Sequence, residues 1–286
     1  MISFRYHLVS VAAVLLALAA GVALGSGFLS DSVATSSGER EGVDEALREF
    51  ETGYAEQTSP GLIEGELGER SVVVLTVPGA RAEEIEGVTR NLERAGATVT
   101  GQVELTGKLI DPANRQFAES VAQESASDVD AVGEAGDAYS RVGAALGRAL
   151  LGDEGELDDQ AQTIKAAFAE GELLSWVDEP SQRADLAVVV AGPGRAGESG
   201  QSLSGLLTAV DSVGSGALVA GPSQASQDGG LIAEIRDSET AASVSTVDVT
   251  DTAAGQAVAA LALARAAAGE DGAWGTSRSA DGALPN

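Results

Sequence analysis

The hydrophobic pattern begins with one long apolar stretch at the start of the chain. Residues 8–30 carry no charged side chain, and residues 8–24 are almost continuously apolar. A helix rises about 1.5 Å per residue, so these 23 uncharged residues reach roughly 34 Å, enough to cross a hydrocarbon core of about 30 Å. The pattern predicts a single N-terminal transmembrane helix within residues 1–30.

The next forty residues are mainly polar. Within them, apolar residues recur with the 4-3-4 spacing of one edge of a short helix, at Val43, Leu47, Phe50 and Tyr54. The sequence Ser-Pro-Gly at residues 59–61 ends that pattern. Residues 31–70 are therefore predicted to be a linker that contains a short helix.

From residue 71, short apolar runs alternate with helical patterns. Residues 72–77 are almost continuously apolar, as expected of a parallel strand buried on both faces. Further strands are predicted at residues 97–103, 185–191, 217–220 and 244–249. A last helix is predicted from an N-cap at Asp251 to Gly269. The alternation predicts an α/β fold over residues 71–271, with a doubly wound, mostly parallel sheet.

Two intervals depart from this alternation. The second and third predicted strands are separated by more chain than one crossover helix needs, and residues 139–150 and 157–168 both show helical apolar spacing. Residues 111–176 are therefore predicted to be a helical insertion. Residues 272–286 are predicted to be a loose tail.

The charge of the chain is strongly asymmetric. It has 17 Lys and Arg against 44 Asp and Glu, a formal net charge of -27. Arg5 is the only charged residue before Asp31, so residues 31–286 carry -28 (16 bases minus 44 acids). Such a domain repels phosphate backbones, which excludes nucleic acid as a partner. Positive residues stay cytoplasmic, so the large domain is predicted to be extracytoplasmic.

The membrane segment has one alternative interpretation and one packing motif. Small residues at positions 23 and 25, in Ala-Leu-Gly, also suit a cleaved secretory signal. If the helix is retained in membrane lipid, small residues recur every four positions on one stripe, which allows close helix packing. These residues are Ala13, Ala17, Gly21 and Gly25.

Catalytic and cofactor motifs are weak or incomplete. Glycine-containing turns follow three predicted strands, at Gly79, Gly192 and Gly221, where open α/β sheets bind ligands. Residues 192–197 match G-x-G-x-x-G, but they follow the third strand and no acid ends the next strand, so no dinucleotide cofactor is predicted. His7 is the only histidine and lies at the membrane edge. No catalytic residue is assigned, and the chain is predicted not to be an enzyme.

Metal ligands of the soft kind are almost absent. The chain has no cysteine, one histidine and one methionine, whereas copper and zinc prefer thiolate, thioether or imidazole. Carboxylates are clustered at Asp153, Glu154, Glu156, Asp158 and Asp159. That cluster suits a loosely held hard cation such as calcium, or a solvated loop that caps a helix. No metal site is assigned.

Several segments resemble the actinobacterial copper-transporter family of the mycobacterial copper transport protein B (MctB) type. The most specific is MISFRYHLVSVAAVLLALAAGVALGSG at residues 1–27. The others are SVVVLTVPGA at 71–80, AGATVTGQVELTGKLIDP at 95–112, AVVVAGP at 187–193, and the closing stretch from Thr246 through Trp274 to Pro285. The resemblance covers nearly the whole chain. The coiled-coil region usual in the family is reduced here to about residues 43–54.

The resemblance implies a pore-forming or pore-associated protein of the outer, mycolate membrane, with copper as the transported ion. Without soft ligands, copper is expected to be guided weakly past carboxylates or carried as a complex, with a homo-oligomer or an envelope protein partner lining the conduit. The alternatives are a membrane-anchored envelope scaffold whose helical insertion binds another protein, and an extracytoplasmic receptor with a pocket near the strand-end glycines.

Overall fold

The computed structural model describes residues 45–152 and 155–285. The chain divides into two compact units, residues 1–53 and 54–286. No helix within the described ranges is long and apolar enough to cross a membrane. The predicted membrane helix, with its packing stripe of Ala13, Ala17, Gly21 and Gly25, lies outside the described residues.

The described residues form α-helices and β-strands. Residues 45–58 form a first helix, α1. The other helices are α2 Pro60–Ile63, α3 Ala82–Arg94, α4 Gly107–Ile110, α5 Arg115–Ser125, α6 Asp130–Glu134, α7 Ala138–Leu150, α8 Asp159–Glu170, α9 Glu198–Asp211, α10 Leu231–Arg236 and α11 Ala253–Ala266. The strands are β1 Ser71–Thr76, β2 Thr98–Leu105, β3 Leu174–Asp178, β4 Leu186–Val190, β5 Ala217–Ala220, β6 Val244–Val247 and β7 Ala273–Trp274.

The seven strands form one sheet in the order β3-β2-β1-β4-β5-β6-β7. All neighbouring pairs are parallel except β2 and β3, which are antiparallel. The chain moves from β1 to β2 on one side and later returns to β4 on the other, so the strand order reverses between β1 and β4. The prediction of a mixed α/β fold with a mostly parallel sheet is confirmed.

Alternate residues of the central strands enter different cores. Val73 and Leu75 of β1 lie in a core with the α5, α7, α8 and α9 side chains. Val72 and Val74 face the opposite core, which α3 and α11 cover. Every residue of β1, β4, β5 and β6 is buried. Burial on both faces explains why β1, β4 and β5 are nearly continuous apolar runs rather than alternating ones.

Helices occupy most of residues 111–173, within the predicted insertion, and they form part of a core. Helix α7 packs against α5, α8 and α9. At the α7–α9 contact, a Cβ on Gly143 would overlap the carbonyl oxygen of Leu206, so the two helix backbones touch. The insertion is therefore a layer of helices that covers one face of the sheet.

Two strands were not predicted. Residues 174–178 fall at the end of the predicted insertion but form β3, an antiparallel edge strand with mixed burial that lacks an apolar run. The prediction of a loose tail from residue 272 is wrong for residues 273 and 274. These pair with β6 as β7, and Asp281 accepts a hydrogen bond from the Ala273 N–H at 2.9 Å.

The predicted N-cap of the last helix is off by one residue. Thr252 caps α11, and its Oγ1 accepts a hydrogen bond from the Gly255 N–H at 3.0 Å. The Asp251 carboxylate instead accepts hydrogen bonds from the Ser223 N–H and hydroxyl, at 3.2 and 2.7 Å. Asp251 therefore links the loop after β5 to the loop after β6.

Candidate functional site

The carboxyl edge of the sheet brings the three strand-end glycines together but leaves little space between two of them. A Cβ on Gly192 would overlap the carbonyl oxygen of Gly79, so the loops after β1 and β4 are in backbone contact. A Cβ on Gly221 would instead lie 3.1 Å from the Cβ atoms of Ala191 and Ala225. The contact between the first two loops closes the crevice where the strand order reverses, the place where doubly wound sheets bind ligands.

A buried carboxylate lies at the same edge. Glu84, in the first turn of α3, is 3% exposed. Its Oε2 accepts a hydrogen bond from the Thr250 hydroxyl at 3.4 Å, and its Oε1 lies 2.6 Å from Nη2 of Arg81. Burial raises the pKa of Glu84, and the charge of Asp251 adds to that effect, while Arg81 and Thr250 oppose it.

These carboxylates determine which ligands the edge can accept. The first turn of a helix attracts anions, because its N–H groups carry partial positive charge. In α3 that place is taken by Glu84, with Asp251 close enough to raise its pKa. A phosphate group at this position would meet two carboxylates of the chain itself. The N-terminus of α3 is therefore unsuited to a phosphate group. The G-x-G-x-x-G match lies elsewhere, in the turn into α9, where Gly197 has a φ of 54°.

A second buried charge network joins α10 to the C-terminal residues. Nη1 of Arg236 lies 2.6 Å from Oδ2 of Asp248, and their side chains are 4% and 0% exposed. The Arg236 guanidinium also donates to the Thr246 hydroxyl and to the carbonyl oxygen of Trp274. Ser277 donates its hydroxyl hydrogen to Asp248. The network therefore fixes residues 274–277 against β6.

The pKa of Asp248 follows from these contacts. Burial by itself would raise it, but hydrogen bonds from the Ser277 hydroxyl, the Thr276 N–H and Arg236 outweigh burial and hold the pKa below its usual range. Asp248 is thus an ionised carboxylate with its partners in place. It is a structural group rather than a proton donor.

The acidic cluster of residues 153–159 is only partly described, since residues 153 and 154 fall outside. Within it, Asp158 caps α8 by accepting a hydrogen bond from the Ala161 N–H at 2.8 Å. Its other oxygen lies 2.6 Å from Nη2 of Arg148 and 3.6 Å from Nη2 of Arg183. The hydrogen bond from Arg148 is the main reason that the pKa of Asp158 is lowered, followed by that from Ala161. Asp158 therefore forms ion pairs with two arginines and caps the N-terminus of α8.

No group of three or more His, Cys, Asp or Glu residues in the described ranges is placed to hold a metal ion. His7 lies outside those ranges. The carboxylates that do approach each other occur in pairs, as with Glu84 and Asp251.

The other carboxylate pair lies at the opposite edge of the sheet. Burial raises the pKa of Asp211 to about 6 and the charge of Asp271 adds to the rise, while the Ala217 N–H opposes it. Burial also raises the pKa of Asp271, against a hydrogen bond from the Ser245 hydroxyl at 2.8 Å. Asp211 ends α9, where the partial negative charge of the helix terminus also disfavours an anion.

The ionisation of Asp211 gives a pH-dependent stability. The pKa of Asp211 in the folded state is raised above the ordinary value of 3.8 to about 6. The contribution of Asp211 to the free energy of unfolding is therefore complete below pH 3.8 and is lost as the pH rises through about 6. We expect Asp211→Asn to raise the free energy of unfolding by about 1 kcal/mol at pH 7.5 and to change nothing at pH 4. Urea unfolding at the two pH values measures this. Asp237→Asn, at the end of α10, is the control, and an equal gain from both variants would contradict the assignment.

Sequence reasoning missed the buried groups Glu84, Arg236 and Asp248. One signal was available for Asp248, an acid directly after four strand residues inside the segment predicted as residues 244–249. A carboxylate in such a position requires a buried partner. Nothing in the local sequence identified Arg236 as that partner.

Comparisons with known proteins agree along the whole chain. The family described as "Copper transport outer membrane protein, MctB" matches residues 1–285. Copper transporter MctB of Mycobacterium tuberculosis (strain ATCC 25618 / H37Rv) is 32% identical over 292 residues, which cover 92% of this chain and 92% of that protein. Copper transporter MctB of Mycobacterium leprae (strain TN) is 30% identical over 298 residues, with the same coverage of both chains. The resemblance described above is confirmed, and the family description is consistent with a location in the cell envelope. The chain belongs to the MctB family.

Proposed function

We propose that this protein lowers cellular copper as a pore-forming or pore-associated protein of the cell envelope. The observation that carries the proposal is the family match over residues 1–285, together with relatives named copper transporters over 92% of their length. The protein acts without catalysing a reaction. Residues 1–30 anchor it in the lipid of the outer (mycolate) membrane as a single-pass helix. The acidic domain lies on the extracytoplasmic side.

The chemistry of the described residues supports weak rather than tight handling of copper by the α/β domain. They contain no cysteine, histidine or methionine, and the buried or half-buried carboxylates Glu84, Asp158 and Asp248 are engaged in ion pairs. Carboxylates at neutral pH attract cations without forming a soft-ligand site. Copper therefore passes this domain by electrostatic guidance or as a complex. A homo-oligomer or a partner protein completes the conduit.

Deleting the gene tests the proposal. The deletion strain is expected to accumulate copper and to grow less well on copper-containing medium, and the full chain should restore both properties. A second complementing chain replaces residues 1–30 by a cleaved secretory signal and should fail if the anchor is needed. Unchanged copper content and tolerance after deletion would refute the role in copper transport.

The rival function, an envelope scaffold, is favoured by one observation, an open cleft between α5 and α8 in the helical insertion. Reconstitution of the purified full chain in a planar bilayer distinguishes the two. A pore-forming protein gives reproducible conductance steps. A scaffold gives none, and its deletion phenotype then depends on a partner.

A further inference from the structure

The cleft between α5 and α8 has features of a binding groove. Its volume is about 390 Å³, and it is lined by Val121, Glu124, Ser125, Thr163, Ala167, Glu170 and Gly171. Its floor is made of small or apolar side chains, because Ser125 is buried and Val121 and Ala167 are partly buried. Glu124 and Glu170 are exposed. The cleft thus has an apolar centre and an acidic rim.

The two helices run antiparallel, which places the two glutamates at opposite ends of the cleft. Nε2 of Gln160, at the start of α8, donates to the carbonyl oxygen of Ser125 at the end of α5, with a distance of 2.6 Å. At the other end, Gly171 lies beside Phe117. Seven residues of helix separate Phe117 from Glu124, about 10 Å along the axis. An extended chain covers that distance in about three residues.

A cation already occupies the surface beside one end of the cleft. Nζ of Lys108 lies 4.7 Å from the centre of the Phe117 ring and 3.2 Å from Oε2 of Glu172. Phe117 is 42% exposed. An aromatic face with a neighbouring carboxylate is an environment that favours ammonium and guanidinium groups.

We propose that the α5–α8 cleft binds a short extended segment of another protein that carries two basic residues three positions apart. One basic side chain pairs with Glu124, the other pairs with Glu170 beside Phe117, and the residues between them cover Val121 and Ala167. A second copy of this chain is a poor occupant, since it carries a net charge of -27.

The test uses the full chain in detergent and fluorescence anisotropy of a labelled peptide that contains Arg-Ala-Leu-Arg. We expect saturable binding that weakens with added salt. The double variant Glu124→Gln/Glu170→Gln should weaken binding about tenfold. The matched control is Glu86→Gln/Glu93→Gln, which removes the same charge from two exposed glutamates seven residues apart on α3, across the sheet. The control should change the dissociation constant less than about twofold.

Two further measurements separate groove binding from general attraction to an acidic protein. Ala167→Leu fills the floor without changing charge and should weaken binding, with circular dichroism confirming the fold. A peptide with the two arginines adjacent should bind more weakly than the spaced peptide. Equal weakening by the cleft and control variants, or equal binding of both peptides, would overturn the proposal. The copper content of cells plays no part in this test, so it succeeds or fails independently of the proposed function.

Discussion

Arg236→Met is expected to lower the free energy of unfolding by about 3–5 kcal/mol. The substitution removes the buried cation that faces Asp248, whose side chain is 0% exposed, and leaves a buried carboxylate without its counter-ion. It also removes donors to Thr246 and to the carbonyl oxygen of Trp274. Urea unfolding of the full chain in detergent, followed by circular dichroism, measures the change.

Arg265→Met provides the matched control for this prediction. Arg265 lies 3.8 Å from Glu270, and the two side chains are 41% and 65% exposed. Exposed ion pairs of this kind contribute about 0–1 kcal/mol, so the control should unfold nearly as the parent chain does. Similar losses from both arginine variants would show that the Arg236–Asp248 network does not have the role assigned to it.

Gly192→Ala is expected to destabilise the chain by about 3 kcal/mol. The added Cβ would overlap the carbonyl oxygen of Gly79, and neither backbone can withdraw without separating β1 from β4 at the centre of the sheet. The thermal unfolding temperature should fall by several degrees. Differential scanning calorimetry of the purified full chain measures it.

The control for this substitution lies two residues away in the same loop. A Cβ on Gly194 would meet no atom within 4 Å, and the residue has no positive φ. Gly194→Ala should therefore change stability by no more than about 0.5 kcal/mol in either direction. If the two alanines had equal effects, the close approach of the loops after β1 and β4 would not be the cause.

Much of the sheet could be predicted from sequence because its strands are buried on both faces. Such strands are local apolar runs, as in β1, β4 and β5, while β6 was also predicted although its sequence is Val-Ser-Thr-Val. Helices α7 and α8 could also be predicted, because their apolar residues recur with helical spacing. The edge strand β3 has only one fully buried residue, Leu174, and β7 has none, so neither carries a periodic signal. Their positions depend on pairing with distant residues, which no local pattern contains.

The polar groups at the sheet edges were harder to predict than the fold. Asp251 illustrates the reason, since it has the residue type and position of an N-cap but accepts hydrogen bonds from Ser223, 28 residues away in sequence. Thr252, one residue later, performs the capping. Local rules identify residues that can cap a helix, and tertiary contacts decide which of them does.

The acidic cluster of residues 153–159 also shows that local sequence patterns do not reveal tertiary contacts. The sequence left open whether residues 153–159 hold a cation or cap a helix. For Asp158 the structure shows a capping residue that is also paired with Arg148 and Arg183. Arg183 is 25 residues distant in sequence, and the bridges Leu151–Ala184 and Glu156–Gln182 bring it close. The charges that neutralise an acidic loop cannot be found by inspecting that loop.

The Arg236–Asp248 network also constrains how the protein can be made. A nascent chain that has been translated as far as residue 270 contains all the described helices and six of the seven strands, yet its buried guanidinium still lacks the acceptors at Trp274 and Ser277. The domain therefore reaches its final stability only after residues 274–277 have left the ribosome. Premature termination near residue 270 would yield a product that is prone to proteolysis.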